Sequence, residues 1–164
     1  MKKMKVYIET SIPSYLTGWV STRLIIAARQ AMTQLWWNER ERYDLYISEC
    51  VLEEVRKGDL EAARLRIAAI AGIPNLPITP EAIVLSEKLI RDFAIPKERK
   101  ADADHLAVAA VHGMDVLLTW NQKHLSGIFL RKRLDAAITA AGFSAPVIAR
   151  PDDFRLKEEK KEMA

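Results

Sequence analysis

The apolar run Val6 to Ile8 ends on Glu9, and the hydroxyls of Thr10 and Ser11 follow at once. A carboxylate at the edge of a core is costly unless it surfaces or meets a cation. Further acids stand at comparable places: Glu54 in "ISECVLEEV", Asp102 and Asp104 in "KADADHLAV", with Asn121 directly after the apolar "DVLLTW". Carboxylates gathered at one edge repel, and each raises the pKa of the next unless a cation holds them. Oxygen donors suit Mg²⁺ or Mn²⁺. Such an ion sharpens a water into a nucleophile and neutralises charge on a phosphate, so metal-assisted phosphodiester hydrolysis is the chemistry these residues point to.

The elements that must bring them together follow from periodicity and breakers. A strand is expected from about Lys5 to Glu9, then a turn, then a long helix from Thr22 to Arg42. "YDLYIS", Tyr43 to Ser48, reads as a second strand, and a helix starts near Glu49 and stops at Gly58. Asp59 caps another helix that Gly72 ends. "IPNLPIT" is a short extended piece weakened by its prolines. A helix runs from Thr79 to Phe93, and the Ala-rich "ADADHLAVAAVHG" forms the next. "DVLLTW", Asp115 to Trp120, reads as a strand buried on both faces. A last helix, Gly127 to Ala141, leads to a final strand at "PVIA". Strands alternating with helices give an α/β fold, a three-layer α/β/α sandwich around a mostly parallel sheet. Ligand sites in such sheets lie beyond the C-terminal strand ends, where Glu9, Ser48 and Asn121 fall.

At 164 residues and 49% hydrophobic content, the chain suits one domain, expected over 1–154, with a charged tail at 155–164. A single cysteine, Cys50, forms no internal disulfide and is expected in the core. No N-terminal run has the apolar length of a signal peptide or membrane span, so the expected compartment is a reducing cytoplasm. The net charge of +3 is compatible with nucleic acid without requiring it.

Spacing also separates neighbouring acids. Glu53 has Lys57 four residues on, the favourable order for a surface ion pair, whereas Glu54 lies in the stripe set by Cys50 and Val51. Glu54 is therefore the candidate functional acid. Periodicity does not choose between Asp102 and Asp104. The histidines show no zinc spacing. His105, one turn after Asp102, reads first as a packed histidine, and as an orienting or RNA-contacting group second. Trp36 and Trp37 suit a packing face or dimer interface better than base stacking, and Trp120 suits the core. Ser11, with Pro13 after it, reads as a helix cap. Arg131, Lys132 and Arg133 are candidate phosphate contacts on what is otherwise a solvated helix face.

The strings "YIETSIPSYL", "ISECVLEEVRKGD" and "DADHLAVAAVHGMDVLLTWNQKHL" together resemble a PIN domain, and specifically the VapC-type toxins of toxin–antitoxin pairs. The likeness covers Val6 to Pro151, with the segments in the family's order. It implies a PIN-like fold and an endoribonuclease with acids around Mg²⁺ or Mn²⁺. By the resemblance, the first acid falls on Glu9, with Thr10 and Ser11 as its supporting hydroxyls. The second falls on Glu54, the third on Asp102 with Asp104 nearby, and the fourth position on Asn121. It further implies an RNA substrate, a small antitoxin protein as partner and a homodimer.

Two positions depart from the family pattern. Glu9 stands where Asp is usual, and Asn121 brings a carbonyl without a charge. These departures motivate an alternative, a degraded PIN scaffold that binds RNA or protein. A phosphatase reading fails because it needs a nucleophilic Asp on the first strand, where this chain has Glu.

Overall fold

The computed structural model describes residues 1–93, 95–123, 125 and 127–154; the expected tail at 155–164 and His124 lie outside them. Five strands form the sheet: β1 (Met4–Ile8), β2 (Tyr43–Ser48), β3 (Asn75–Leu76), β4 (Val116–Leu118) and β5 (Val147–Ala149). All pairings are parallel, in the order β3-β2-β1-β4-β5. Flanking helices are α1 (Ser11–Thr17), α2 (Leu24–Asn38), α3 (Glu49–Val55), α4 (Leu60–Ile70), α5 (Pro80–Asp92), α6 (Lys100–Val111) and α7 (Ile128–Ala140).

β1 is central because its side chains belong inside: Val6, Tyr7 and Ile8 are fully buried. The register sets Val6 beside Leu45 on one side and Val116 on the other. From β1 the chain winds outward through β2 and β3, then crosses back to β4 and β5. Strand order thus reverses between β1 and β4, where parallel sheets open a crevice at their carboxyl ends.

Local chemistry explains most boundaries. The Asp59 carboxylate accepts from Ala62 N–H and the Thr79 hydroxyl from Ala82 N–H, each capping the helix after it. Gly113 takes φ +66°, the left-handed conformation that lets α6 end one turn before β4.

The first connection departs from expectation. In place of a turn and one helix over Thr22 to Arg42, there are α1, a loop, α2, and a 3₁₀ turn at Arg40–Arg42. The hydroxyls of Ser14 and Thr17 bond back to the carbonyls of Thr10 and Pro13, at 2.9 Å each, which satisfies them without favouring the helix; the Glu9 carboxylate takes the Ser11 N–H at its start. Pro13 is tolerated because first-turn N–H groups have no intrahelical partner.

Trp36 is core: its ring stacks on Tyr43 at 5.2 Å and meets Phe154 edge-on at 5.8 Å. Cys50 departs from expectation, because it is half-buried and lines a cavity of 220 Å³ between α3, α5 and α6. Among the described residues no helix is long and apolar enough to cross a membrane.

Candidate active site

Glu9 leaves the end of β1 almost fully buried. Its Oε2 accepts three hydrogen bonds, from Ser11 N–H (2.9 Å), Ser11 Oγ (2.5 Å) and Thr119 Oγ1 (2.7 Å). Ser11 Oγ in turn accepts from Trp120 N–H at 2.9 Å, and Thr119 Oγ1 accepts from Asn121 N–H at 2.8 Å. These hydroxyls tie the ends of β1 and β4 together and fix one carboxylate oxygen. Among the described residues the other oxygen, Oε1, has no hydrogen-bond partner. Ser11 is therefore not a cap by its own side chain: it lies inside α1, and the Glu9 carboxylate receives the N–H at that helix start.

Glu54 reaches the same crevice from α3, which begins directly after Ser48 at the end of β2. Its Oε1 accepts from Thr10 Oγ1 at 2.9 Å and contacts His105 Nε2. His105 projects from α6 and is nearly fully buried; its Nδ1 lies 2.8 Å from the Tyr7 hydroxyl, itself 2.6 Å from Ser48 Oγ. A buried chain thus runs Ser48, Tyr7, His105, Glu54, Thr10. Burial pushes the His105 pKa down, but Glu54, Glu9 and Asp102 together raise it above its ordinary value. Burial opposes ionisation of Glu54 too, yet the bond to His105 prevails and its pKa falls. Both shifts have one source, the His105–Glu54 contact, which favours the imidazolium and the carboxylate together.

Asp102 sits in the first turn of α6, half-buried. Burial raises its pKa first, then the charge of Glu9, with His105 opposing and Glu54 adding. Three carboxylates therefore press on one region. One ligand atom from each of Glu9, Glu54 and His105 lies within 4.8 Å of the others. Two oxygens and a ring nitrogen, crowded and with Glu9 Oε1 unbonded, are a donor set that fits a divalent cation.

Other expected residues fall differently. Asp104 faces away, its carboxylate bonded to Ser86 Oγ (2.5 Å) and Lys100 Nζ (2.6 Å). Helical spacing places it on a different side of α6 from Asp102, and α5 takes up that side. Asn121 is exposed beside the site. Arg131 donates to the Ile148 carbonyl at 2.7 Å, bracing β5, and the Arg133 guanidinium lies over Phe93 at 5.3 Å; Lys132 is exposed. Among the described residues Glu53 forms no ion pair with Lys57, whose charge instead lowers Glu54.

Periodicity marks neither Tyr7 nor Thr119 as a site residue, and marks Ser48 only as a strand end. One signal for Tyr7 was available: it stands two residues before Glu9, on the same face of β1. Arg99, in the basic run Lys97 to Lys100 whose first reading is a solvated surface, and Lys123, which no pattern marks, line with Asp102 a cavity of 320 Å³ beside the acids.

The sequence matches no family model and no curated protein. Solved structures do match. VapC20 of Mycobacterium tuberculosis, a sarcin–ricin-loop-cleaving toxin, aligns at a TM-score of 0.52 and 17% identity, over 84% of this chain and 95% of its own. VapBC2 of Rickettsia felis, solved bound to a DNA fragment from its promoter, aligns at 0.53 and 13%, over 90% and 98%. The five-stranded parallel sheet flanked by helices is thus the PIN-like fold of VapC toxins.

Proposed function

We propose that this protein is a divalent-metal-dependent endoribonuclease, the toxin of a toxin–antitoxin pair. The observation that carries the reading is that Glu9 and Glu54 meet at the crevice where strand order reverses, one ligand atom of each within 4.8 Å of the other; the charge of Glu9 also bears on Asp102 in the first turn of α6. The fold shared with VapC toxins agrees with it.

When bound, Mg²⁺ or Mn²⁺ supplies a Lewis acid that acidifies a water and neutralises charge on the scissile phosphate. Glu9 holds its place through the Ser11 and Thr119 hydroxyls, presenting Oε1. Glu54 is oriented by Thr10 and His105. Asp102 brings the third anion, and Asn121 offers a neutral carbonyl at the rim. Arg99 and Lys123, in the cavity beside Asp102, meet the phosphates of a single-stranded RNA laid across the site. They suit this task better than Arg131, which is engaged with β5. A small antitoxin covers the acids in the resting complex, and the toxin works in the cytoplasm as a homodimer.

A second reading, a scaffold without catalysis, is favoured by one observation: His105 Nε2 contacts Glu54 Oε1, where a protonated imidazole would balance that carboxylate. Incubation of the purified protein with single-stranded and structured RNAs in Mg²⁺ or Mn²⁺ separates the two. Cleavage abolished by EDTA and by Asp102→Asn supports the nuclease; intact RNA, or cleavage that survives Asp102→Asn, rejects it.

A further inference from the structure

Tyr7 is fully buried and its hydroxyl is held between Ser48 Oγ at 2.6 Å and His105 Nδ1 at 2.8 Å. An apolar phenyl ring would fill the same volume of core, so the hydroxyl itself needs a reason. A histidine that ligates a metal through one ring nitrogen donates its other N–H to a partner that fixes ring and tautomer. Tyr7 stands where that partner belongs. When its proton goes to Ser48 Oγ, its oxygen accepts the Nδ1 proton, and Nε2 is the nitrogen turned toward the carboxylates.

On the site side, Nε2 already touches Glu54 Oε1, and Glu9 offers a ligand oxygen within 4.8 Å. Neighbouring ligands of an octahedral ion with bonds of about 2.1 Å stand about 3 Å apart, so small movements suffice to bring these atoms onto one ion. We infer that His105 Nε2 is itself a ligand of the ion, and that Tyr7 is the positioning residue that keeps Nδ1 protonated and the ring aimed. The inference rests on the metal-dependent reading above and deepens it. It has a consequence for which ion is held. Both ions take oxygen ligands, but Mn²⁺ belongs to the first-row transition series, whose ions bind nitrogen donors, and stands at its weak end, whereas Mg²⁺ keeps to oxygen; one imidazole among carboxylates therefore tilts the site toward Mn²⁺. As a ligand, Nε2 would have to give up any proton it shares with Glu54, and that proton would leave to solvent.

The test uses the full chain, stripped of metal and loaded with Mn²⁺. Pulsed electron paramagnetic resonance is expected to show ¹⁴N coupling from a histidine in the wild type and none in His105→Gln. Calorimetry is expected to give Mn²⁺ binding at least 10-fold tighter than Mg²⁺ in the wild type. Tyr7→Phe, which removes only the hydroxyl, is expected to weaken Mn²⁺ binding by about 10- to 100-fold, the usual range for loss of such a support, and to shrink the Mn²⁺ preference. A merely structural hydroxyl would lower the melting temperature and leave coupling and preference unchanged. Mn²⁺ that binds without ¹⁴N coupling, or with an affinity equal to that for Mg²⁺, overturns the inference and leaves the nuclease reading standing; failure of both ions to bind overturns both. Should Tyr7→Phe not fold, the coupling in wild type against His105→Gln decides alone.

Discussion

Replacing His105 by Gln removes the cation from the metal-free cluster while keeping a side-chain N–H to meet Glu54. Ligand oxygens of Glu9 and Glu54 lie within 4.8 Å of each other, and at an effective dielectric of about 20 two such charges repel by about 3.5 kcal/mol. In the wild type the His105 cation offsets most of this. The variant escapes part of the cost by protonating one carboxylate, which leaves a loss of about 2–3 kcal/mol at pH 7, below the ~3–5 kcal/mol of breaking a fully buried pair because Glu54 is only partly buried. At about 2–4 °C per kcal/mol for a chain of this size, the melting temperature falls by roughly 4–12 °C. Scanning calorimetry in EDTA reads this directly. Adding Glu54→Gln to the variant removes the repulsion and recovers most of the loss. A melting temperature unchanged by His105→Gln, or a double variant no better than the single one, would refute the electrostatic reasoning.

Three further outcomes are expected. Asp102→Asn removes a half-buried charge that burial and Glu9 both oppose, so the metal-free protein gains about 0.5–1 kcal/mol, the scale of such substitutions, while cleavage is lost; paired melting and cleavage assays read the trade. The His105–Glu54 pair makes metal-free stability depend on pH. His105 is raised from 6.5, so its contribution is complete below 6.5 and lost as pH climbs through the raised value; Glu54 is lowered from 4.5, so its contribution is complete above 4.5 and lost as pH drops through the lowered value. The pair therefore stabilises most between 4.5 and 6.5, and a Glu54→Gln melting profile as steep as the wild type's would contradict this. Arg131→Ala costs about 1 kcal/mol through the lost bond to Ile148 with RNA affinity unchanged, whereas Lys123→Ala weakens binding without destabilising; fluorescence anisotropy with a single-stranded RNA separates them.

Much of this was legible in the sequence for identifiable reasons. Apolar runs closed by turn residues mark β2, β4 and β5, and helices with strong caps, such as those after Asp59 and Thr79, announce their starts. α1 escaped because its residues are weak helix formers whose start is held by the Glu9 carboxylate on the Ser11 N–H and whose apolar side packs into the core, neither of which periodicity over so few residues registers. At the site, Glu9 and Glu54 stand out because an acid at the end of an apolar run, or in an apolar helix stripe, is locally anomalous. Asp102 and Asp104 differ only in what packs on each side of α6, a tertiary fact that no spacing contains. The partners that complete the site are non-local: Thr119 meets Glu9 across 110 positions and Tyr7 meets His105 across 98. Tyr7 reads as one more apolar residue of a buried strand until β2 and α6 bring Ser48 and His105 to its hydroxyl.

The central claim is that Glu9, Glu54 and Asp102 converge to hold a divalent ion, and calorimetric titration of the metal-free protein with Mn²⁺ tests it most directly. A single saturable site, weakened at least 10-fold in Glu9→Gln and in Glu54→Gln variants that melt as folded proteins, is the expected result. No binding to the wild type, or binding indifferent to both substitutions, would contradict the claim and leave a scaffold whose acids are satisfied by His105 and by the hydroxyls of Thr10, Ser11 and Thr119.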